Sequence, residues 1–157
     1  MKVLNLEHPE QMLLALLRAA LHQKEVEIVY FQQVTEQDWV KCYRLAVYQG
    51  VSALAWGGIE RLPAKCSPPL NVKLSWALRE KELQEEYRKQ CIAISALNQL
   101  LSQYGIATIV LKGVGLSRYY PVPAHREGGD IDIYTYSADK TRLTNEEANR
   151  LADEVLL

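Results

Sequence analysis

Between Leu70 and Tyr104 the sequence contains neither glycine nor proline, and Leu, Glu, Lys, Gln, Arg and Ala dominate it. Such residues lose little rotamer freedom in a helix, so the stretch predicts one long helix, with Gly105 as its terminator. Pro63, Pro68 and Pro69 precede it, forbid helix continuation and mark the clearest linker. From Arg79 to Gln90 the helix is charged or polar apart from Leu83 and Tyr87, whereas Cys91, Ile94, Leu97, Leu101 and Tyr104 form an apolar edge. The expectation is a solvated middle and a packed second half.

Shorter helices are expected upstream. From Pro9 to about Gln23, Met12, Leu13, Leu16, Leu17, Ala20 and Leu21 recur at helical spacing. Thr35 followed by Asp38 resembles a capping box, and Trp39, Cys42, Tyr43, Ala46 and Val47 continue the stripe to Gly50. Ser52 to about Arg61 predicts a third helix, weakened by Gly57 and Gly58.

At Ile106 the composition changes. The run Ile106 to Leu111 is β-branched and apolar, as expected of a buried strand, and Lys112 and Gly113 end it. Val114 to Tyr120 fits two helical turns, Pro121 and Pro123 open a loop, and Ile131 to Tyr136 reads as a second strand. Thr144 then caps a last helix to Leu157. The class is α+β, with a helical region over residues 1–104 and a small sheet region over 105–157.

Composition bounds the function. The 157 residues are 48% hydrophobic and 24% charged with a net charge of −1, which excludes disorder and gives no global field for a long nucleic acid. The three cysteines, Cys42, Cys66 and Cys91, lack metal-ligand spacing and suit a reducing compartment. The amino terminus does not read as a secretion signal, and no apolar run spans a bilayer, so a cytoplasmic protein with no membrane partner is expected. No internal repeat or low-complexity tract stands out.

The stretch that carries chemistry is Gly128-Gly129-Asp130-Ile131-Asp132-Ile133-Tyr134. On a strand, side chains alternate faces, so Asp130 and Asp132 project to one side, roughly 6.5 Å apart. Their repulsion is relieved by a cation, and hard oxygen donors suit Mg²⁺. Taken alone, two solvated aspartates on an edge strand are the simpler reading. Upstream, however, Leu111-Lys112-Gly113-Val114-Gly115 ends one strand and opens a helix, where backbone N–H groups, a lysine and the close approach that glycine allows suit phosphate oxygens. Lys112, Gly113 and Gly115 are therefore the candidate anion site.

The order Leu111-Lys112-Gly113, Tyr119-Tyr120-Pro121, Arg126 and Gly129-Asp130-Ile131-Asp132 resembles the uncharacterised nucleotidyltransferases of the DNA polymerase beta-like superfamily. The specific match covers about residues 106 to 136, and the helical amino terminus is similar in a looser way. The resemblance implies that Asp130 and Asp132 bind Mg²⁺ or Mn²⁺ and act as catalytic residues. It also implies that Gly113, with Lys112 beside it, holds a nucleoside triphosphate, for which ATP is the expectation, and that Arg126 supports the phosphates or the aspartate strand. For Arg126, a surface pair with Glu127 or another acid is an equal alternative.

Two departures stand against the superfamily pattern: Lys112-Gly113 replaces the more familiar Gly-Ser or Gly-Gly, and no later strand supplies a third carboxylate, with Glu127 and Asp139 the nearby acids. The expectation is thus a partial catalytic core, a fragment inactive by itself. The implied chemistry is transfer of a nucleoside monophosphate to a small-molecule or protein hydroxyl by a two-metal mechanism. A sheet of two strands needs helix cover or a partner edge, which leaves room for a homo-oligomer. Two rivals stand beside this reading: a catalytically silent nucleotide-binding module, and a helical interaction protein. His8, His22 and His125 are scattered, and only His125 lies near the candidate site.

Overall fold

The computed structural model describes residues 6–139 and 143–156. Helices α1 (His8–His22), α2 (Glu36–Tyr48), α3 (Ser52–Ile59) and α4 (Leu70–Ser102) come first. They lead into β1 (Ile106–Val110), α5 (Val114–Ser117), β2 (Ile133–Ser137) and α6 (Asn145–Leu156). Short 3₁₀ turns occupy Ile28–Phe31, Ala64–Cys66 and Pro123–His125. The class is α+β; the expected end of the last helix at Leu157 lies outside the described residues.

Local chemistry sets the helix starts. Thr35 Oγ1 accepts the Asp38 N–H at 3.2 Å while Asp38 Oδ2 accepts the Thr35 N–H at 3.0 Å, so two orphan donors of α2 are satisfied reciprocally. The Thr35 hydroxyl and then its N–H hold the Asp38 carboxyl below its ordinary range. Thr144 and Glu147 repeat the device at α6. Gly50, at φ 64°, takes the left-handed conformation that follows α2.

Two groups of buried apolar residues hold the fold. The first joins α1, α2, α3 and the start of α4 through Met12, Leu16, Trp39, Cys42, Ile59 and Trp76. Trp76 is fully buried, meets Trp39 edge-on with centroids 6.3 Å apart, and donates its indole N–H to the Ser52 carbonyl at 2.7 Å. Gly58 explains why α3 tolerates a poor helix former: a Cβ there would overlap the Leu16 backbone, so the glycine lets α1 and α3 meet closely. The second group is Leu101, Ile106, Ala148 and Ala152.

Strands β1 and β2 are antiparallel, with register running from Ile106 opposite Ser137 to Val110 opposite Ile133. The face bearing Thr108 and Thr135 lies under α4 and α6, where Thr108 bonds Asn98 at 2.9 Å and Thr135 bonds Asn149 at 2.6 Å. The other face carries Ile109, Tyr134 and Tyr136, with the two tyrosine rings stacked 6.3 Å apart.

Several sequence expectations are corrected. The middle of α4 is not simply solvated: Leu83 is buried and Arg79, Glu80, Tyr87 and Gln90 are half-buried. The connection between the strands folds back over this part of the helix and gives its charges partners. Conversely, Cys91, Ile94 and Leu97 are only half-buried and Tyr104 is exposed, so Leu101 alone of that edge is fully buried. Finally, β2 begins at Ile133, so Asp130 and Asp132 lie on the segment entering the strand; the last rung beyond it is the Leu111 N–H donating to Asp132 O at 2.9 Å. β1 likewise ends at Val110, and α5 is a single turn that stops at Ser117.

Candidate functional site

After β1 the chain reverses at Lys112 and Gly113. Gly113 has φ 52° and ψ −119°, a conformation that side chains rarely tolerate, and it starts α5. The Gly115 N–H donates to Lys112 O at 2.8 Å and the Leu116 N–H to Gly113 O at 3.1 Å, closing the turn. Ser117, buried at the end of α5, lies 3.0 Å from the Tyr87 hydroxyl and so ties the turn to α4.

The aspartate segment forms the opposite wall. A Cβ on Gly113 would lie 3.3 Å from Asp130 O, and one on Gly128 would lie 3.7 Å from Gly113 Cα, so the two backbones abut. Lys112 Nζ stands 3.4 Å from Asp132 Oδ2, with both side chains reached by solvent. The Arg126 Nη1 donates to Glu127 O at 3.4 Å and borders Gly128. Asp130 is exposed. Lys112, Gly113, Arg126, Asp130 and Asp132 therefore lie along two abutting segments. Gly115 stands apart: a Cβ there would overlap Val110 O, so the turn requires a glycine for packing against β1.

Sequence reasoning missed what holds this wall in place. Glu127 Oε1 accepts the Ser52 hydroxyl at 2.8 Å and the Ala53 N–H at 3.0 Å, and Glu127 Oε2 lies 3.9 Å from Arg79 Nη2. His125 is buried, with Nε2 3.1 Å from Glu80 Oε1, which also accepts from Gln84. Gln90 Nε2 donates to Gly129 O at 2.8 Å. One signal was available: Val51 at the N-cap of α3 has no side-chain acceptor, so the first N–H groups of that helix required one from elsewhere.

Asp130 and Asp132 offer hard oxygen donors, open to solvent and beside a backbone turn. Among the described residues no group of three or more His, Cys, Asp or Glu side chains is arranged to hold a metal ion. Two carboxylates fit Mg²⁺, which characteristically takes one or two and completes its shell with water and substrate phosphates. Lys112 competes for Asp132, but an exposed pair of this kind separates at little cost.

The model of a family described as uncharacterised nucleotidyltransferase matches residues 35–146, more than half of the chain. The chain belongs to that family. No curated protein and no solved structure matches it. The nucleotidyltransferase match begins at Thr35, the N-cap of α2, and continues past the aspartate segment into the first turn of α6, so α2, α3 and α4 belong to the family unit together with the sheet. Membership in this nucleotidyltransferase family implies a nucleoside triphosphate as substrate. Among the described residues no helix is long and apolar enough to cross a membrane.

Proposed function

We propose that this chain carries the nucleotide and metal site of an enzyme that transfers a nucleoside monophosphate from a triphosphate, ATP first among them, to the hydroxyl of a small molecule or protein. The observation that carries the reading is the contact of two segments: the Lys112–Gly113 turn lies against the Asp130 backbone, and Lys112 Nζ reaches Asp132. A net charge of −1 favours such acceptors over a long nucleic acid.

In this reading Asp130 and Asp132 would hold Mg²⁺ or Mn²⁺, which supplies charge neutralisation at the phosphates and activation of the acceptor oxygen. The backbone around Gly113 would receive phosphate oxygens, and Lys112 would leave Asp132 to place its ammonium on them. The acceptor oxygen forms a bond to the α-phosphorus as the bond to the bridging oxygen breaks. Pyrophosphate leaves with the electron pair, and the acceptor's proton passes to solvent. The residues mainly bind and align the reactants, the arrangement that removes the entropic part of the barrier.

The Lys112–Asp132 pair also favours a second reading, a nucleotide-binding module without turnover, because a lysine already neutralises one of the two carboxylates. Pyrophosphate release and labelled product, measured over a panel of hydroxyl acceptors for the wild type, Asp130→Asn, Asp132→Asn and the double variant, separate the two. Product that disappears in both variants supports transfer. Nucleotide binding without pyrophosphate release from the wild type supports the silent module, and full activity in the double variant overturns both.

A further inference from the structure

After the 3₁₀ turn at Pro123–His125 the chain extends at Arg126, and residues 125–129 are held from the helix side at three points. His125 pairs with Glu80 at 3.1 Å, Glu127 takes the Ser52 hydroxyl and Ala53 N–H at 2.8 and 3.0 Å, and Gly129 O receives Gln90 at 2.8 Å. On its other side the segment abuts the Lys112–Gly113 turn, since a Cβ on Gly128 would lie 3.7 Å from Gly113 Cα. Asp132, three residues beyond Gly129, meets Lys112 of that turn at 3.4 Å.

Glu127 is the strongest of the three anchors. Its side chain is only 10% exposed, both carboxylate oxygens are engaged, and it caps α3, whose own N-cap, Val51, cannot. We infer that Glu127 is a positioning residue: by anchoring this segment against α3 it holds Asp130 and Asp132 beside the phosphate turn. The inference rests on the proposed metal role of these aspartates.

The test is the Mn²⁺ affinity of the protein without nucleotide, read from the loss of the free-ion electron paramagnetic resonance signal, with a melting curve for each protein. The set is wild type, Glu127→Ala, Glu127→Gln, Ser52→Ala and Asp132→Asn. Residues that orient metal ligands from behind typically contribute factors of ten or more, so Glu127→Ala should weaken Mn²⁺ binding about tenfold while remaining folded. Glu127→Gln keeps an oxygen acceptor for Ser52 and Ala53 and should recover most of the affinity, which a general loss of packing would not predict. Where Glu127→Ala does not fold, Ser52→Ala decides, since it removes a single donor to Glu127 and should give an intermediate loss. Wild-type affinity in folded Glu127→Ala, or in Ser52→Ala where that variant decides, with Asp132→Asn impaired, overturns the positioning role alone. Unchanged affinity in Asp132→Asn overturns the metal reading itself, and the inference with it.

Discussion

Lys112 Nζ stands 3.4 Å from Asp132 Oδ2 at the mouth of the two-stranded sheet, joining the turn after β1 to the segment that enters β2. Both partners are reached by solvent, so the pair adds little to folding, within about 0.5 kcal/mol for exposed pairs of this kind. In the proposed function the ammonium would exchange this carboxylate for a phosphate. Lys112→Ala should therefore leave the melting temperature nearly unchanged while weakening ATP binding. A large stability loss with unchanged nucleotide affinity would reverse that assignment.

Gly58 sits where α3 crosses α1, and any Cβ would press into the backbone of Leu16, which cannot rotate away. Gly58→Ala raises helix propensity yet should destabilise the fold by about 1–3 kcal/mol, the usual range for overpacking. Thermal or urea unfolding measures it, and a stabilised variant would mean that the two helices do not meet at this position.

Leu101 is fully buried beneath the sheet, whereas Glu82 projects from α4 with its side chain 64% exposed and makes an exposed pair with Arg79. Leu101→Ala should cost about 2–5 kcal/mol through lost burial and the cavity left behind, and Glu82→Ala should cost well under about 1 kcal/mol. Equal unfolding midpoints for the two variants would contradict the packing of α4.

Cys42 lies in the first core, and burial pushes its thiol from an ordinary 9.0 up to about 12. A folded-state value above the unfolded one means that this group's contribution to stability is complete below pH 9 and falls as pH rises toward 12. At pH 8, therefore, Cys42 should react with a thiol reagent only after unfolding, while the half-buried Cys66 and Cys91 react in the native protein. Three thiols reacting at one rate would argue against a buried Cys42.

Much of this fold was legible locally. The Thr35–Asp38 box, the unbroken run after Leu70 and the glycine after Leu111-Lys112 each act within a few residues, and each element begins or ends close to where its own chemistry directs. The charged middle of α4 misled because its partners are remote in sequence. Arg79 and Glu80 read as solvent-facing until the Pro123–His125 turn brings His125 and Glu127 onto them. The candidate site divided in the same way: Asp130, Asp132, Lys112 and Gly113 form a short-range motif, but Ser52 and Glu127 are 75 residues apart, and no periodicity joins them. The start of β2 also depended on a partner, since a strand can pair only as far as β1 runs, and β1 stops at Val110.

Asp130 and Asp132 are proposed to make nucleotide binding depend on a divalent cation. Calorimetric titration of ATP into the protein, with Mg²⁺ and with Mg²⁺ chelated, tests it directly when the wild type is compared with Asp130→Asn/Asp132→Asn. Tighter ATP binding with Mg²⁺ is expected in the wild type and no such gain in the double variant, whose melting curve should stay close to that of the wild type because Asp130 is exposed and Asp132 is paired only at the surface. An equal Mg²⁺-dependent gain in the folded double variant would contradict it.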